Sequence, residues 1–434
     1  MGSCMSSESA SAETMESWTE EIDIETAEFL ARETRNDEQL ASLQGRMCTN
    51  GASSIASMHT QQGKKGPNQD NMIVWENFGS REDTVFLGVF DGHGPRGHMV
   101  GRRVRDSLPS MLVNQWHELL SAESLNTDGN DTEATDSYKS NDDANQDQKE
   151  EEPKIFTVWR ESYLRAFKVM DKELKLHPTL DCFCSGTTAV TIVKQGQDLM
   201  IAHVGDSRAV MGTISPNGSL SAIQLTIDMK ANLPGEAERI KQCKGRVIAL
   251  QDEPHVHRVW LPNENSPGLA MTRAFGDFCL KEFGVIAIPE VTYRCLTSRD
   301  QFIVLATDGV WDVLSNREVV NIVSSASTRA SAAKMVVDSA VRAWRRKFPT
   351  SKIDDCAVVC LYLDSQPFIS KHEKGNINSV AEQPNVEQSE TTITNGVATE
   401  EGSELDGLTS TNSLVNLPRF MKRSKKVKGS KTLR

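Results

Sequence analysis

Four short apolar runs in this chain begin or end on aspartate, and no other feature narrows the possible folds as much. Val85-Phe86-Leu87-Gly88-Val89-Phe90 leads into Asp91-Gly92-His93-Gly94, and Phe302-Ile303-Val304-Leu305-Ala306 leads into Thr307-Asp308-Gly309. Asp354-Asp355 stands directly before Cys356-Ala357-Val358-Val359-Cys360-Leu361, and Asn68-Gln69-Asp70 shortly before Met72-Ile73-Val74-Trp75. Short apolar runs bounded by turn residues and rich in β-branched or aromatic side chains read as buried strands. Each run therefore carries a carboxylate at a strand end, where several strands can converge on one cleft.

The remaining periodicity fills in a layered domain. β-rich runs occur at 84–90, 187–194, 199–204, 209–213, 302–306 and 357–363. Helical spacing occurs at 99–120, 155–174, 234–243 and 330–348, with Pro109 expected to kink or split the first helix. The strands follow one another closely and the long helices cluster before and after them. That order predicts an α+β fold of mainly antiparallel sheets with helices packed outside, in place of a doubly wound parallel sheet.

Periodicity is confined to about 47–365, which is read as one catalytic domain. Residues 1–46 are rich in Ser, Thr and Glu and are expected to form a disordered arm. Within the domain, 121–152 carries eleven acids against two lysines and reads as a disordered acidic surface insert. After 366 the chain turns polar, and its last sixteen residues, RFMKRSKKVKGSKTLR, carry eight basic side chains. The net charge of −12 argues against a nucleic-acid partner. Nine scattered cysteines without repeated CxxC pairs or a secretory leader fit a reducing, intracellular setting.

Carboxylates brought together at one sheet edge repel and raise one another's pKa unless a cation neutralises them. Oxygen donors without a Cys or His cluster suit a hard ion, Mg²⁺ or Mn²⁺. The glycines after Asp91 and Asp308 are expected to let the backbone turn sharply and bring a carbonyl near such an ion. A single Asp-Gly pair is most simply a turn; several carboxylate-marked strand ends together point beyond that.

At this stage the chain resembles the type 2C, metal-dependent protein phosphatases, and their plant branch in particular. The matching stretches are NQDNMIVWENF (68–78), VFDGHG (89–94), SGTTAVTIV (185–193), AHVGDSRAV (202–210), LTIDMKANLPGEAERI (225–240), PGLAMTRAFGD (267–277), ATDGVWD (306–312) and DDCAVVCLYL (354–363). They stand in the family's order over about 300 residues. The resemblance implies a central β-sandwich of two antiparallel sheets flanked by helices on both outer faces, with ions in a cleft at one edge. It further implies a protein serine/threonine phosphatase acting on phosphoproteins. Asp70, Asp91, Asp308 and Asp354 match the metal-binding carboxylates, and Gly92 the carbonyl ligand. Asp355 remains an alternative to Asp354, because the family usually has Asp followed by Asn there.

Two Mg²⁺ or Mn²⁺ ions so held imply a bridging water that attacks phosphorus in line, with no phosphoenzyme. His93 matches the general acid that protonates the departing oxygen. Lys65 stands where many relatives place a phosphate-gripping arginine, a point charge in place of a fork. Phe183 lies where relatives carry an aspartate linked to a third ion, with Asp181 two residues earlier, while Asp312 and Asp277 match other acids around that ion; third-ion occupancy stays open. Asp206 reads as a turn anchor, and Met271 and Phe275, at helical spacing, as core contacts. The rival readings are a catalytically inactive relative serving as a scaffold and a hydrolase of small phosphate esters.

The first residues, Met1-Gly2-Ser3-Cys4-Met5-Ser6, fit an N-myristoylation pattern with a candidate second acyl site at Cys4. Together with the basic tail they suggest peripheral membrane association, and a monomer located in the cytoplasm, at the plasma membrane, or both.

Overall fold

The computed structural model describes residues 45–127, 153–251 and 253–363. All but the last two residues of the proposed arm, most of the acidic insert, the basic tail and the acylation site lie outside the described residues, and Arg46, read as the arm's end, already pairs with Glu76 in a strand.

In chain order the strands are β1 (Arg46–Cys48), β2 (Gly51–Ala52), β3 (Ala56–Gln61), β4 (Asp70–Glu76), β5 (Thr84–His93), β6 (Gly186–Thr187), β7 (Ala189–Gln195), β8 (Asp198–Val204) and β9 (Arg208–Ile214). They continue as β10 (Leu220–Gln224), β11 (Arg246–Ala249), β12 (His257–Trp260), β13 (Pro267–Leu269), β14 (Phe275–Gly276), β15 (Glu290–Cys295), β16 (Asp300–Ala306) and β17 (Cys356–Tyr362). The helices are α1 (Gly97–Thr127), α2 (Lys154–Leu176), α3 (Pro234–Gln242), α4 (Phe278–Lys281), α5 (Asp308–Trp311), α6 (Asn316–Ser324) and α7 (Ala332–Lys347).

Two antiparallel sheets form the body. One runs β1-β4-β5-β7-β8-β15, with β6 and β14 attached at the end of β5; the other runs β10-β9-β16-β17-β3-β2. Period-two alternation sorts the side chains into three layers. Met72, Val74, Leu87, Val89, Val190 and Ile192 of the first sheet meet Met211, Ile303, Leu305, Ala357, Val359 and Leu361 of the second. The alternate positions Ile73, Trp75, Phe86 and Phe90 face Val104, Leu108, Trp159 and Phe167 of α1 and α2. On the far side Val304, Ala306, Val358 and Cys360 pack on Val319, Val336, Val337 and Trp344 of α6 and α7. Each fully buried side chain of this size contributes roughly 1.5–3 kcal/mol, so the sandwich is fixed by three apolar layers.

Trp116 of α1 stacks on Trp159 of α2 with ring centroids 4.9 Å apart, locking that helix pair. Pro109 does not split α1, which runs from Gly97 to Thr127 as one helix. Residues 107–113 are buried as an unbroken stretch, and this packing holds both sides of the proline in one element. The helix also runs seven residues into the stretch read as an acidic loop, ending at Thr127. A small three-stranded sheet, β11-β12-β13, encloses its own core with α3 and α4, built on Ile240, Val259, Leu269, Met271 and Leu280.

Candidate active site

The inward-facing rows of the sandwich do not stop where its apolar core stops. Val74 and Met72 of β4 are followed on the same face by Asp70; Leu87 and Val89 of β5 by Asp91 and His93; Ile303 and Leu305 of β16 by Thr307. One end of the inter-sheet layer is therefore polar. The register of β4 on β5 sets Asp70 directly opposite Asp91. Both residues belong to the strands themselves, Asp70 as the first residue of β4 and Asp91 two residues before the end of β5. The Asp91 amide donates to Thr188 Oγ1 at 3.0 Å, and Thr307 Oγ1 donates to Asp70 Oδ2 at 2.8 Å.

Asp308 opens α5 at the end of β16, and Asp312 follows one turn later. Neither Gly92 nor Gly309 has a positive φ, so a sharp turn is not what requires glycine there. A Cβ on Gly92 would overlap the Gly97 carbonyl oxygen, and one on Gly309 the Asp355 carbonyl oxygen. Close approach of backbones is the reason for both.

Adjacent acids before β17 have separate tasks. Asp355 accepts from the Gly63 amide at 2.7 Å and from the Gln69 amide at 2.9 Å, one oxygen each. Its carboxylate thus closes the loop that leads into β4. Asp354 instead pairs with Lys65 and faces the other acids of the cluster.

Asp206, in the tight connection between β8 and β9, is buried, and neither carboxylate oxygen has a hydrogen-bond partner. This corrects its reading as a turn anchor: its carboxylate instead forms an ion pair with Lys230 Nζ at 3.7 Å. Burial, with the neighbouring acids, raises its pKa to about 6 despite Lys230. Burial also raises Asp91, next to Asp308 and Asp70, and Asp70, next to Asp355, well above the carboxylate range. Asp312 is pushed up well above it by burial and Asp308, and Asp308 rises through burial and Asp354. Against the cost of burial, Asp354 holds the Lys65 ammonium above its usual value.

His93 is buried, and its Nε2 lies 2.6 Å from Asp277 Oδ2. Asp277 thus faces His93 through one carboxylate oxygen. Phe183 is 58% exposed, and its amide donates to Asp181 Oδ1 at 2.9 Å, so Asp181 caps its own turn.

The donor set fits a hard cation. Asp308 Oδ2, Asp312 Oδ2 and both oxygens of Asp206 are buried acceptors with no hydrogen-bond donor, a costly arrangement for a chain without a counter-charge. All are oxygens, as Mg²⁺ and Mn²⁺ prefer. Among the described residues, no three His, Cys, Asp or Glu side chains close into a ready-made cage. Mutual repulsion, with Asp354 drawn to Lys65 and Asp70 held by Thr307, is consistent with that spread.

A model of the protein phosphatase 2C family matches residues 56–346 of the chain. The chain belongs to this family. Probable protein phosphatase 2C 33 of Arabidopsis thaliana is 50% identical over 446 residues, covering 89% of this chain and 91% of the relative. Probable protein phosphatase 2C 66 of Oryza sativa subsp. japonica is 59% identical over 334 residues, covering 76% of this chain and 63% of the relative. In fold, the phosphatase is similar to the serine-threonine phosphatase 2C from Toxoplasma gondii, with a TM-score of 0.60 at 24% identity over 74% of this chain and 99% of that one.

Of the residues singled out in the sequence of this phosphatase, Asp70, Asp91, Asp308 and Asp354 face one space, with Gly92 next to Asp91 and Lys65 on Asp354. Asp355 is turned to backbone amides. Asp206 and Lys230 are the members of the cluster that sequence reasoning passed over. Met271 and Phe275 are buried as expected, but outside any helix: Met271 bridges Lys230, and Phe275 lies in β14.

Proposed function

We propose that this phosphatase removes phosphate from phosphoserine and phosphothreonine side chains of proteins at the polar end of its sandwich. Asp70, Asp91, Asp308, Asp354 and the Gly92 carbonyl would hold two Mg²⁺ or Mn²⁺ ions. When bound, such ions supply a nucleophile from water at neutral pH and neutralise charge on the phosphoryl group. Thr307 fixes the rotamer of Asp70, and Asp91 is fixed by its place opposite Asp70. Lys65 contacts the substrate phosphate with its ammonium, exchanging part of its interaction with Asp354. His93 gives a proton to the departing serine or threonine oxygen, and the displacement needs no phosphoenzyme.

The observation that carries this reading is the buried acid cluster drawn from segments far apart in the chain: Asp70 stands opposite Asp91, Asp91 and Asp308 are raised by burial beside one another and beside Asp354, and Asp308 Oδ2 has no hydrogen-bond donor. The test is free phosphate released from a phosphothreonine peptide by the purified chain. Release is expected with Mn²⁺ or Mg²⁺ and not with excess chelator. Activity undiminished by chelator would overturn the metal assignment, and no release under any condition would favour a scaffold without activity. Gly2, Cys4 and the basic tail support peripheral attachment to the plasma membrane.

A further inference from the structure

The geometry points to Asp277 as the positioning residue of His93: its carboxylate takes ring atom Nε2 and leaves Nδ1 as the atom that meets the leaving group. This inference rests on the proposed role of His93 as proton donor and adds the atom and the residue that holds it.

The pair is short and dry. His93 Nε2 and Asp277 Oδ2 are 2.6 Å apart, and the two side chains are 3% and 0% exposed. An ionised carboxylate only accepts, so Nε2 carries the hydrogen of this bond, and the proton given to the leaving oxygen is the second one, held on Nδ1 of the imidazolium. Nδ1 is buried and has no partner. Buried polar atoms without partners are rare in a finished structure. Here the unmatched atom belongs to a residue on the same strand face as Asp91, the row that ends in the acid cluster. The ester oxygen of the substrate, accepting from Nδ1–H of the imidazolium, is the group it lacks.

Asp277 is itself held more firmly than a surface aspartate would be. It adopts a left-handed conformation, φ 50° and ψ 46°, uncommon outside glycine although Asp tolerates it better than most. Its amide donates to the Ser185 carbonyl at 3.0 Å, and its carbonyl accepts from the Leu280 amide at 2.8 Å. The preceding Gly276 amide donates to Asp171 Oδ1 at 3.0 Å, and Lys281 Nζ donates to both oxygens of Asp171. On the other side Gly186 presses on the pair, where a Cβ would overlap Asp277 Oδ2 and crowd His93 Nε2. Three segments, the end of β5, the start of β6 and the turn into α4, therefore hold one imidazole orientation. A carboxylate that fixes the tautomer of a catalytic imidazole is a recurrent device of acid–base chemistry.

Asp277→Asn keeps the shape and removes the obligate acceptor. Turnover is measured with saturating Mg²⁺ on a phosphothreonine peptide, whose alkoxide must be protonated to leave, and on p-nitrophenyl phosphate, whose phenolate leaves unaided. Asp277→Asn is expected to lower kcat on the peptide by about 10²-fold with little change in KM, and kcat on the aryl ester by less than about threefold. His93→Ala is expected to show the same selectivity, and the double variant to be no worse than His93→Ala alone. If His93→Ala affects both substrates equally, the proton-donor reading fails and this inference with it. If His93→Ala is selective while Asp277→Asn is not, this inference alone fails. Should Asp277→Asn not fold, the wild-type protein decides. In Mg²⁺-loaded, ¹⁵N-histidine-labelled enzyme, assigned by comparison with His93→Ala, the His93 ring in its neutral form at alkaline pH is expected to keep its hydrogen on Nε2, and the second proton taken up on acidification to go to Nδ1. A neutral ring with its hydrogen on Nδ1 overturns the assignment.

Discussion

Thr307 Oγ1 donates to Asp70 Oδ2 at 2.8 Å and accepts from the Ala357 amide at 3.0 Å. A single buried hydroxyl at the end of β16 thus ties β4 of one sheet to β17 of the other, at the place where the apolar layer gives way to acids. Thr307→Val keeps the volume and removes this link, leaving a buried amide and a buried carboxylate oxygen each short of a partner. The expected loss is ~1–3 kcal/mol in urea unfolding, with a fall in turnover as Asp70 gains rotational freedom. Unchanged stability and unchanged kcat would show that the hydroxyl holds nothing.

Asp354 and Asp355 offer a sharper comparison, because they are neighbours with opposite surroundings. Asp355 accepts two backbone amides, so Asp355→Asn forfeits one acceptor and destabilises the fold by ~1–3 kcal/mol while the folded fraction keeps most of its activity. Asp354→Asn is expected to abolish phosphate release with little change in melting temperature, since its carboxylate accepts from the half-buried Lys65 ammonium and from its own neighbour's amide, and an asparagine oxygen can still accept from both. Paired activity and melting measurements check both. The reverse pattern would transfer the proposed ligand role to Asp355.

How legible this was in the sequence depends on distance along the chain. Strands ending in aspartate are local patterns, and the runs before Asp91 and Asp308 and after Asp70 and Asp355 all became sandwich strands. The position of Asp206 is set by residues from other segments; locally it is only a turn aspartate between two strands. His93 and Asp277 are 184 residues apart, and no spacing rule connects them. The assignment of Asp355 depended on the amides of Gly63 and Gln69, invisible in a string of letters. Pro109 misled because local propensity was overridden by packing of the surrounding helix on the first sheet.

The amino terminus supplies a cellular prediction. A myristoyl group on Gly2, as proposed above, would bind bilayers only marginally by itself, and Cys4 or the basic tail would serve as the second signal. Gly2→Ala is expected to move the protein from the membrane to the soluble fraction of a cell lysate, with phosphatase activity per molecule unchanged. An unaltered distribution would remove acylation from the account.

The acid cluster also dictates a pH dependence whose sign is opposite to that of ordinary salt-bridged carboxylates. Asp206 has a folded pKa raised to about 6, from the ordinary aspartate value of about 4, through burial first. A carboxyl raised by folding binds its proton more tightly in the native state. Its contribution to stability is therefore complete below about pH 4 and is lost as the pH climbs through about 6. Glu236, lowered to about 2 by Arg239 and Arg273 against the cost of burial, behaves conversely and is lost only in stronger acid. His203, lowered chiefly by burial, pulls against Asp206 below about pH 6.5, so a variant comparison is needed to isolate the acid. In chelator, Asp206→Asn is expected to melt higher than the wild type at pH 7.5, by on the order of 1–3 kcal/mol in stability, and to lose most of that advantage at pH 4.5. Excess Mg²⁺ at pH 7.5 is expected to narrow the gap by stabilising the wild type, because a cation relieves the same repulsion that the substitution removes. An Asp206→Asn protein that melts lower than the wild type at pH 7.5 in chelator would mean that the attraction of Lys230 outweighs the burial of the carboxylate.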